Sequence, residues 1–509
     1  MKHIKKILCL TLTLIMVFSS ASVAVGAITI GNEEIDHLPQ VYISGFGSRI
    51  LHYKDDPEKT SLFFPVNFDL MMNNLSRFDK YAADSLKNLD PDIIYNYLYN
   101  AFKDTFGAAA LKGDGITNAD ENVVCEPTVL DYDGDGVYNF NYDSRLSPID
   151  LAADLKDYIG LVQEHSGSEK IELIGASYGT TILMAFLNDY PEMHKYIDSV
   201  LISVPSYGGF SVVGEIFSGD FFINHDTLTE YAYVGINNED LGLFLSVLNK
   251  SGFLKIFLEC MLIPTLKAVA LEAAMDVIRD IFGTIPAMWT FVQEEYFYDA
   301  MVNLYGENYA DPGRENAGLI SKVTYYQEQV MQRLDEIYLA TQANGVKMNI
   351  ICKYGRPPMP ISEKGSFMSD GAVDVKDVTL GATASRYGET LPEDYTQARY
   401  PEYDFISPDK CIDASTGIDP LHTWYVKGLE HTIKNDGFNE LIDYILYEDP
   451  TVFSGDRFPQ YTQATEDGGL APVTEPEIRE ETSLFTDYIK LIIRIFELII
   501  ETIKGLFAK

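Results

Sequence analysis

The chain has 509 residues, 46% hydrophobic and 22% charged, a composition that can bury a large core and excludes a disordered or low-complexity protein. Acidic residues number 76 against 38 basic ones, for a formal charge of -38. Such a surface repels phosphate backbones, which argues against a nucleic-acid partner and disfavours unassisted binding to an anionic membrane.

In chain order, Lys2, Lys5 and Lys6 precede an apolar run from Ile7 to Phe18, and Val25-Gly26-Ala27 offers small residues for cleavage. This reads as a signal peptide over 1–27, cut after Ala27, and predicts a secreted or cell-surface protein; the run is short for a membrane anchor. Export leaves Cys125, Cys260, Cys352 and Cys411 where disulfides persist, and none of them has zinc-site spacing. Short aliphatic or β-branched runs predict strands at Gln40–Ser44, Lys170–Ile174, Ser199–Val204, Val346–Tyr354 and Thr423–Val426. The Asp-rich stretch Asp131–Gly136 resembles the start of a calcium loop, but Tyr142 stands where a bidentate Glu is needed, so it reads as a polar turn before a strand. Leu151, Leu155, Ile159 and Leu161 recur at helical spacing before the strand at Lys170. Strands alternating with helices predict an α/β domain over 28–450 with a mostly parallel sheet. Residues 210–344, rich in Phe, Leu, Ile, Met and Tyr at helical spacing, predict a helical cap insertion. Within it, charges and Pro264 interrupt the apolar stretch Ile256–Ile285, so a cleft-lining helix pair is expected there rather than a membrane span. Thr, Pro, Gly and Glu over 451–482 predict an acidic linker, followed by an amphipathic helix over 483–509.

The chemistry centres on Gly175-Ala176-Ser177-Tyr178-Gly179, set between a predicted strand and the helical run Thr180–Asn188. A glycine-flanked serine on a sharp strand-to-helix turn exposes a nucleophilic hydroxyl, and the Tyr178 amide then faces a developing oxyanion. On such a fold an acid and then a histidine follow the serine in the chain. His422 opens a predicted strand, whereas His431 sits in the loop after it, the place of a triad base, and is preferred. Asp370 lies in the loop after strand Val346–Tyr354 and can orient the imidazole; Asp374 and Asp377 are rivals in the same loop. The loop Gly45-Phe46-Gly47-Ser48 after the first strand offers the Phe46 amide as a second oxyanion donor.

Together with Val41–Ser48, Tyr142-Asp143-Ser144-Arg145-Leu146-Ser147-Pro148, Pro205-Ser206-Tyr207-Gly208-Gly209, Cys352-Lys353-Tyr354-Gly355, Ser369-Asp370-Gly371-Ala372-Val373 and Gly428-Leu429-Glu430-His431, these motifs occur in an order that resembles the lecithin:cholesterol acyltransferase-like family of α/β hydrolases. The resemblance spans Val41 to Leu446. It implies an acyl-enzyme on Ser177, with Asp370 and His431 as acid and base, Phe46 and Tyr178 as oxyanion donors, and a bond between Cys352 and a downstream cysteine, here Cys411. The chain departs from the family at Ser144, where a Trp is usual, at Ser206-Tyr207, and at Ser369 and Ala372 around the acid.

The resulting expectation is a secreted serine esterase, lipase or O-acyltransferase acting on lipid-like acyl esters without metal or organic cofactor. An esterase on cell-wall or polysaccharide acyl groups and a non-catalytic cell-surface binding protein are the alternatives. In the last segment Asp487, Lys490, Arg494, Glu497, Glu501 and Lys504 fall on one narrow stripe, leaving a wide apolar face to be buried in a lipid interface, against another copy, or on the catalytic domain.

Overall fold

The computed structural model describes residues 37–63, 91–220, 225–235, 239–256, 264–361, 367–455, 457–475 and 483–494. The predicted signal peptide lies outside them. Among the described residues eight strands form one sheet: β1 (Gln40–Ile43), β2 (Val137–Phe140), β3 (Ile171–Ala176), β4 (Ile197–Ser203), β5 (Lys347–Tyr354), β6 (Thr423–Lys427), β7 (Tyr461–Ala464) and β8 (Leu470–Pro472). Their spatial order is β8-β7-β6-β5-β4-β3-β1-β2, and every neighbouring pair is parallel except β7 with β8. Parallel strands need crossovers, and the helices that make them cover both faces, which is why β3 is buried along its whole length.

The longer helices are α1 (Pro91–Phe106), α2 (Pro148–Ser166), α3 (Tyr178–Asp189), α4 (Ser211–Ser218), α5 (Glu239–Lys250), α6 (Pro264–Asp280), α7 (Glu294–Tyr305), α8 (Ala317–Gln329), α9 (Leu334–Ala343) and α10 (Asp436–Glu448). Local chemistry sets their ends. Ser147 caps α2 by accepting from the Ile149 amide, and Gly167 closes it at φ 72°, a left-handed turn that glycine adopts without steric cost. The sheet, the crossover helices and the helical insertion between β4 and β5 make an α/β-hydrolase-type fold with a helical cap. Helices α8 and α9, inside the predicted cap range, pack on α2 and α3 instead and form the crossover into β5. The apolar stretch expected as a helix pair supplies α6, which packs on α1 through Leu98, Val269 and Ala273, while the Tyr99 hydroxyl donates to Asp280 at 2.7 Å. No helix of the described residues is long and apolar enough to cross a membrane.

Several expectations need correction. The predicted linker 451–482 contains β7 and β8, with Val452, Phe458, Tyr461 and Val473 buried beside the sheet. The bond expected between Cys352 and Cys411 is absent, and Cys125 is also a free thiol. The Cys352 thiol is directed at the Lys353 carbonyl, and that of Cys411 at the carbonyls of Asp409 and Glu389. Cys260 lies outside the described residues. The Asp-rich stretch, by contrast, is the expected polar turn before a strand, leading into β2 with the Asp135 amide donating to the Asp133 carboxylate at 2.9 Å.

At the C-terminus, helical residues 484–494 lie against α5 through their polar stripe. Asp487, 2% exposed, accepts from Ser246 Oγ at 2.8 Å and Lys250 Nζ at 2.6 Å, and Arg494 Nε donates to Asp240 at 2.6 Å. Phe485, Tyr488, Ile489 and Ile493 point outward. Docking back on the domain therefore occurs, but through the face opposite to the apolar one; residues 495–509 lie outside the described part.

Candidate active site

The site is built where β3 ends. Ser177 adopts φ 49° and ψ -123° between β3 and α3, a strained conformation for a residue with a Cβ. The glycines on either side are required for space. A Cβ on Gly179 would fall 2.1 Å from the Ile43 carbonyl oxygen, and one on Gly175 would fall 3.2 Å from Thr180 Cα. The strand thus runs close against the helix, and the serine is left on top of the sheet with its amide donating to the Ser203 carbonyl of β4.

Three side chains from distant parts of the chain meet there. Ser177 Oγ is 2.8 Å from His431 Nε2, and His431 Nδ1 is 2.7 Å from Asp370 Oδ2. The other carboxylate oxygen of Asp370 accepts from the amides of Ala372 at 3.0 Å and Val373 at 2.9 Å. Asp370 is fully enclosed, and burial alone would raise its pKa. The His431 imidazole and the two amides outweigh that cost and hold the carboxyl below its ordinary value. An ionised Asp370 requires the proton on His431 Nδ1, so Nε2 is left as the acceptor for the serine proton. Nucleophile, base and orienting acid stand in the order and geometry of a serine hydrolase triad.

The rivals lie elsewhere. His422 pairs with Asp419 at 3.0 Å on the far side of β6's first residue, and that hydrogen bond raises its pKa. Asp374 precedes a short helix at Val375–Val378, and Asp377 within that helix accepts from Gln293 Nε2 at 2.7 Å. Burial pushes both carboxyls up to about 7.

Phe46 and Tyr178 flank the serine from β1 and α3, their rings 5.5 Å apart edge to face. The loop after β1 comes against the nucleophile, since a Cβ on Gly45 would lie 3.3 Å from Ser177 Cβ. It is fixed from the segment after β2. The Gly47 amide donates to Ser144 Oγ at 2.7 Å, and the Tyr142 hydroxyl donates to the Ser44 carbonyl. Arg145, itself buried, holds Asp143 at 2.6 Å and so stiffens that segment. Ser144, one of the departures from the acyltransferase-like pattern, thus has a local role of its own.

Sequence reasoning missed the aromatic wall. Phe63 meets Phe46, Phe46 meets Phe291 at 5.8 Å, Phe291 stacks on Phe210 at 4.7 Å, and Phe210 stands edge-on to the His431 ring at 6.1 Å. Phe210 and Phe291 come from the two ends of cap segments, and nothing in their local sequence marks them. It also missed Lys353, although a lysine inside an apolar strand is a readable anomaly.

No protein-family model matches this chain, and no curated protein matches it in sequence. The observed topology and triad identify the α/β-hydrolase architecture and a serine-nucleophile enzyme, without a closer family.

Proposed function

We propose that the protein is an exported serine esterase or O-acyltransferase whose substrates are lipid-like acyl esters. The observation that carries this reading is the unbroken hydrogen-bonded chain from Ser177 through His431 to Asp370 on a strained strand-to-helix turn. Ser177 Oγ attacks the ester carbonyl carbon while its proton passes to His431 Nε2. The amides of Phe46 and Tyr178 stabilise the oxyanion, a contribution of about 3–4 kcal/mol per donor in such sites. When the carbonyl reforms, the alcohol leaves with the proton held by His431, and Ser177 keeps the acyl group. Water or a second alcohol then repeats the steps in reverse and releases the acid or the new ester.

The aromatic run from Phe63 to Phe210 supports an apolar acyl group, and the motifs shared with the acyltransferase-like family support a lipid ester. The N-terminal pattern of Lys2, Lys5 and Lys6 followed by Ile7–Phe18 supports export. The outward Phe485, Tyr488, Ile489 and Ile493 support contact with a neutral lipid surface.

Labelling of the purified protein by a fluorophosphonate, followed by a series of nitrophenyl esters of rising chain length, tests the reading. Labelling at Ser177 with turnover that rises toward medium and long acyl chains is the expected result. Preference for acetyl esters selects the cell-wall or polysaccharide alternative, and absence of labelling selects a binding protein.

A further inference from the structure

Lys353 occupies the seventh position of β5, opposite Val426 of β6, and is 1% exposed. Its Nζ donates to three backbone carbonyls of one loop, those of Glu430 at 3.1 Å, His431 at 3.0 Å and Ile433 at 2.6 Å. The same nitrogen lies 4.5 Å from the centre of the Phe438 ring at the start of α10. All three ammonium protons are therefore spent on the loop that carries the base, and a ring face completes the cation's surroundings.

We propose that Lys353 is a positioning residue of the triad, its ammonium pinning the His431 loop from beneath; this rests on the reading of Ser177, His431 and Asp370 as the triad. Two features set it apart from an ordinary core residue. First, a buried ammonium is costly, and among the described residues Lys353 makes no ion pair that would repay its desolvation. Burial pulls its pKa down to about 7, with Lys434 acting in the same direction and Asp370 and Glu430 opposing. A Met or Leu would fill the strand position without that cost.

Second, Lys353 is the side chain of β5 that holds the loop's carbonyls. The loop is otherwise tied to the sheet at its ends, by the buried Leu429, the Gly428 amide on the Tyr354 carbonyl at 2.8 Å and Lys434 on the Tyr42 hydroxyl at 3.1 Å. Residues 429–433 form no helix or strand. Away from the sheet the loop is held by the His431 amide, donating to the Asp370 carbonyl at 3.2 Å, by the Phe210 ring edge-on to His431 at 6.1 Å, and by Arg356, which pairs with Glu430 while donating to the Val234 carbonyl at 2.7 Å. Lys353 acts from below, Arg356 from the cap side and Asp370 from the flank. Together they hold His431 Nε2 within reach of Ser177 Oγ, where a displacement of about 1 Å costs on the order of 100-fold in rate.

The test compares Lys353→Met and Lys353→Gln with the full-length wild-type chain for thermal unfolding, kcat and KM on a soluble nitrophenyl ester, and rate of fluorophosphonate labelling. The expected result for folded Lys353→Met is a kcat lowered about 10- to 100-fold, KM within about twofold of wild type, and labelling slowed in step with kcat. Lys353→Gln, which keeps two donors without the charge, recovers part of the loss. A folded Met variant with wild-type kcat overturns the proposal, as does a Gln variant no better than Met. If the Met variant does not fold, the Gln variant carries the test, and wild-type kcat in it together with wild-type stability overturns the proposal. Ser177→Ala separates the two levels: if it retains activity, the triad reading itself fails, whereas an inactive Ser177→Ala beside a fully active Lys353→Met removes only the role of Lys353.

Discussion

The His431 amide donates to the Asp370 carbonyl at 3.2 Å while its imidazole Nδ1 meets the Asp370 carboxylate at 2.7 Å, so base and acid are joined twice, by backbone and by side chain. The backbone link fixes the distance between the two residues whatever the charge on the carboxyl. Asp370→Asn should therefore keep the loop in place but present an amide that no longer enforces the Nδ1 proton. A fall in kcat of about 10⁴-fold with little change in melting temperature is expected. Steady-state kinetics beside a melting curve checks it, and a variant within tenfold of wild type contradicts the assigned role.

His422 provides the control. Its pKa is raised by the hydrogen bond to Asp419, so the stability it contributes is present below the ordinary histidine pKa and fades as pH rises through the higher folded value. His422→Ala should lower urea-unfolding stability more at pH 5 than at pH 9 and leave esterase activity near wild type, whereas His431→Ala should abolish activity at both.

Asp374 titrates with the same sign, in a lower pH window. Its carboxyl, 4% exposed and with Oδ2 unpartnered, is pushed from 3.8 to about 7, so the folded state holds a proton that the unfolded chain has released over that interval. Stability from this group is lost as pH climbs from about 4 to about 7. Asp377 behaves alike but is less enclosed, with 19% of its side chain exposed. Asp374→Asn should therefore be more stable than wild type at pH 8, by up to a few kcal/mol on the order-of-magnitude scale of such shifts, and gain little at pH 4.5. Chemical denaturation at the two pH values reads this directly; an equal effect at both rules it out.

Two glycines separate folding from chemistry. A methyl at Gly179 meets the Ile43 carbonyl oxygen at 2.1 Å with no flexible partner to yield, so Gly179→Ala should fail to give soluble folded protein. A methyl at Gly45 meets Ser177 Cβ at 3.3 Å, with the Ala176 carbonyl oxygen at 3.6 Å and Ser177 Oγ at 3.8 Å in ordinary contact, so Gly45→Ala should fold but label slowly with fluorophosphonate. Circular dichroism and labelling rate distinguish the two outcomes.

The C-terminal helical residues allow the lipid-surface reading to be separated from self-association. Because Asp487 and Arg494 dock the helix on α5, Phe485→Ser combined with Ile493→Ser alters only the outward face. Turnover of a soluble short-chain ester should be unchanged, while co-sedimentation with neutral-lipid vesicles should fall several-fold. Unchanged sedimentation with loss of oligomers selects self-association instead. Truncation after Thr482 should reproduce the sedimentation result.

The parts of the fold readable in the sequence were those whose signal is local. Strands β1, β3, β4, β5 and β6 are runs dominated by aliphatic, β-branched or aromatic residues and buried on both faces, and the serine turn announces itself by two glycines that only a close strand-helix approach requires. The order acid-then-histidine narrowed the triad to a few positions, and the loop after β6 decided between His422 and His431. What was hidden depends on contacts far along the chain. β7 and β8 are short, lie in a segment rich in Thr, Pro, Gly and Glu, and become strands because β6 offers Tyr461 a buried partner in Tyr425. Periodicity gave the two faces of the C-terminal helix but not which of them meets the protein, a choice made by Ser246, Lys250 and Asp240 on α5. The cysteine pairing failed because a shared loop says nothing about where two thiols point. The aromatic wall needed Phe210 and Phe291 to be brought together by the folding of the cap.

The positive φ of Ser177 limits how this enzyme could change its nucleophile. At φ 49° a side chain branched at Cβ collides with its own backbone, so threonine, the nearest chemical relative of serine, is barred from the turn, while cysteine fits the same torsions. A lineage built on this elbow has an open road to thiol chemistry and a closed one to threonine, and the gate is set by backbone geometry before any question of reactivity arises.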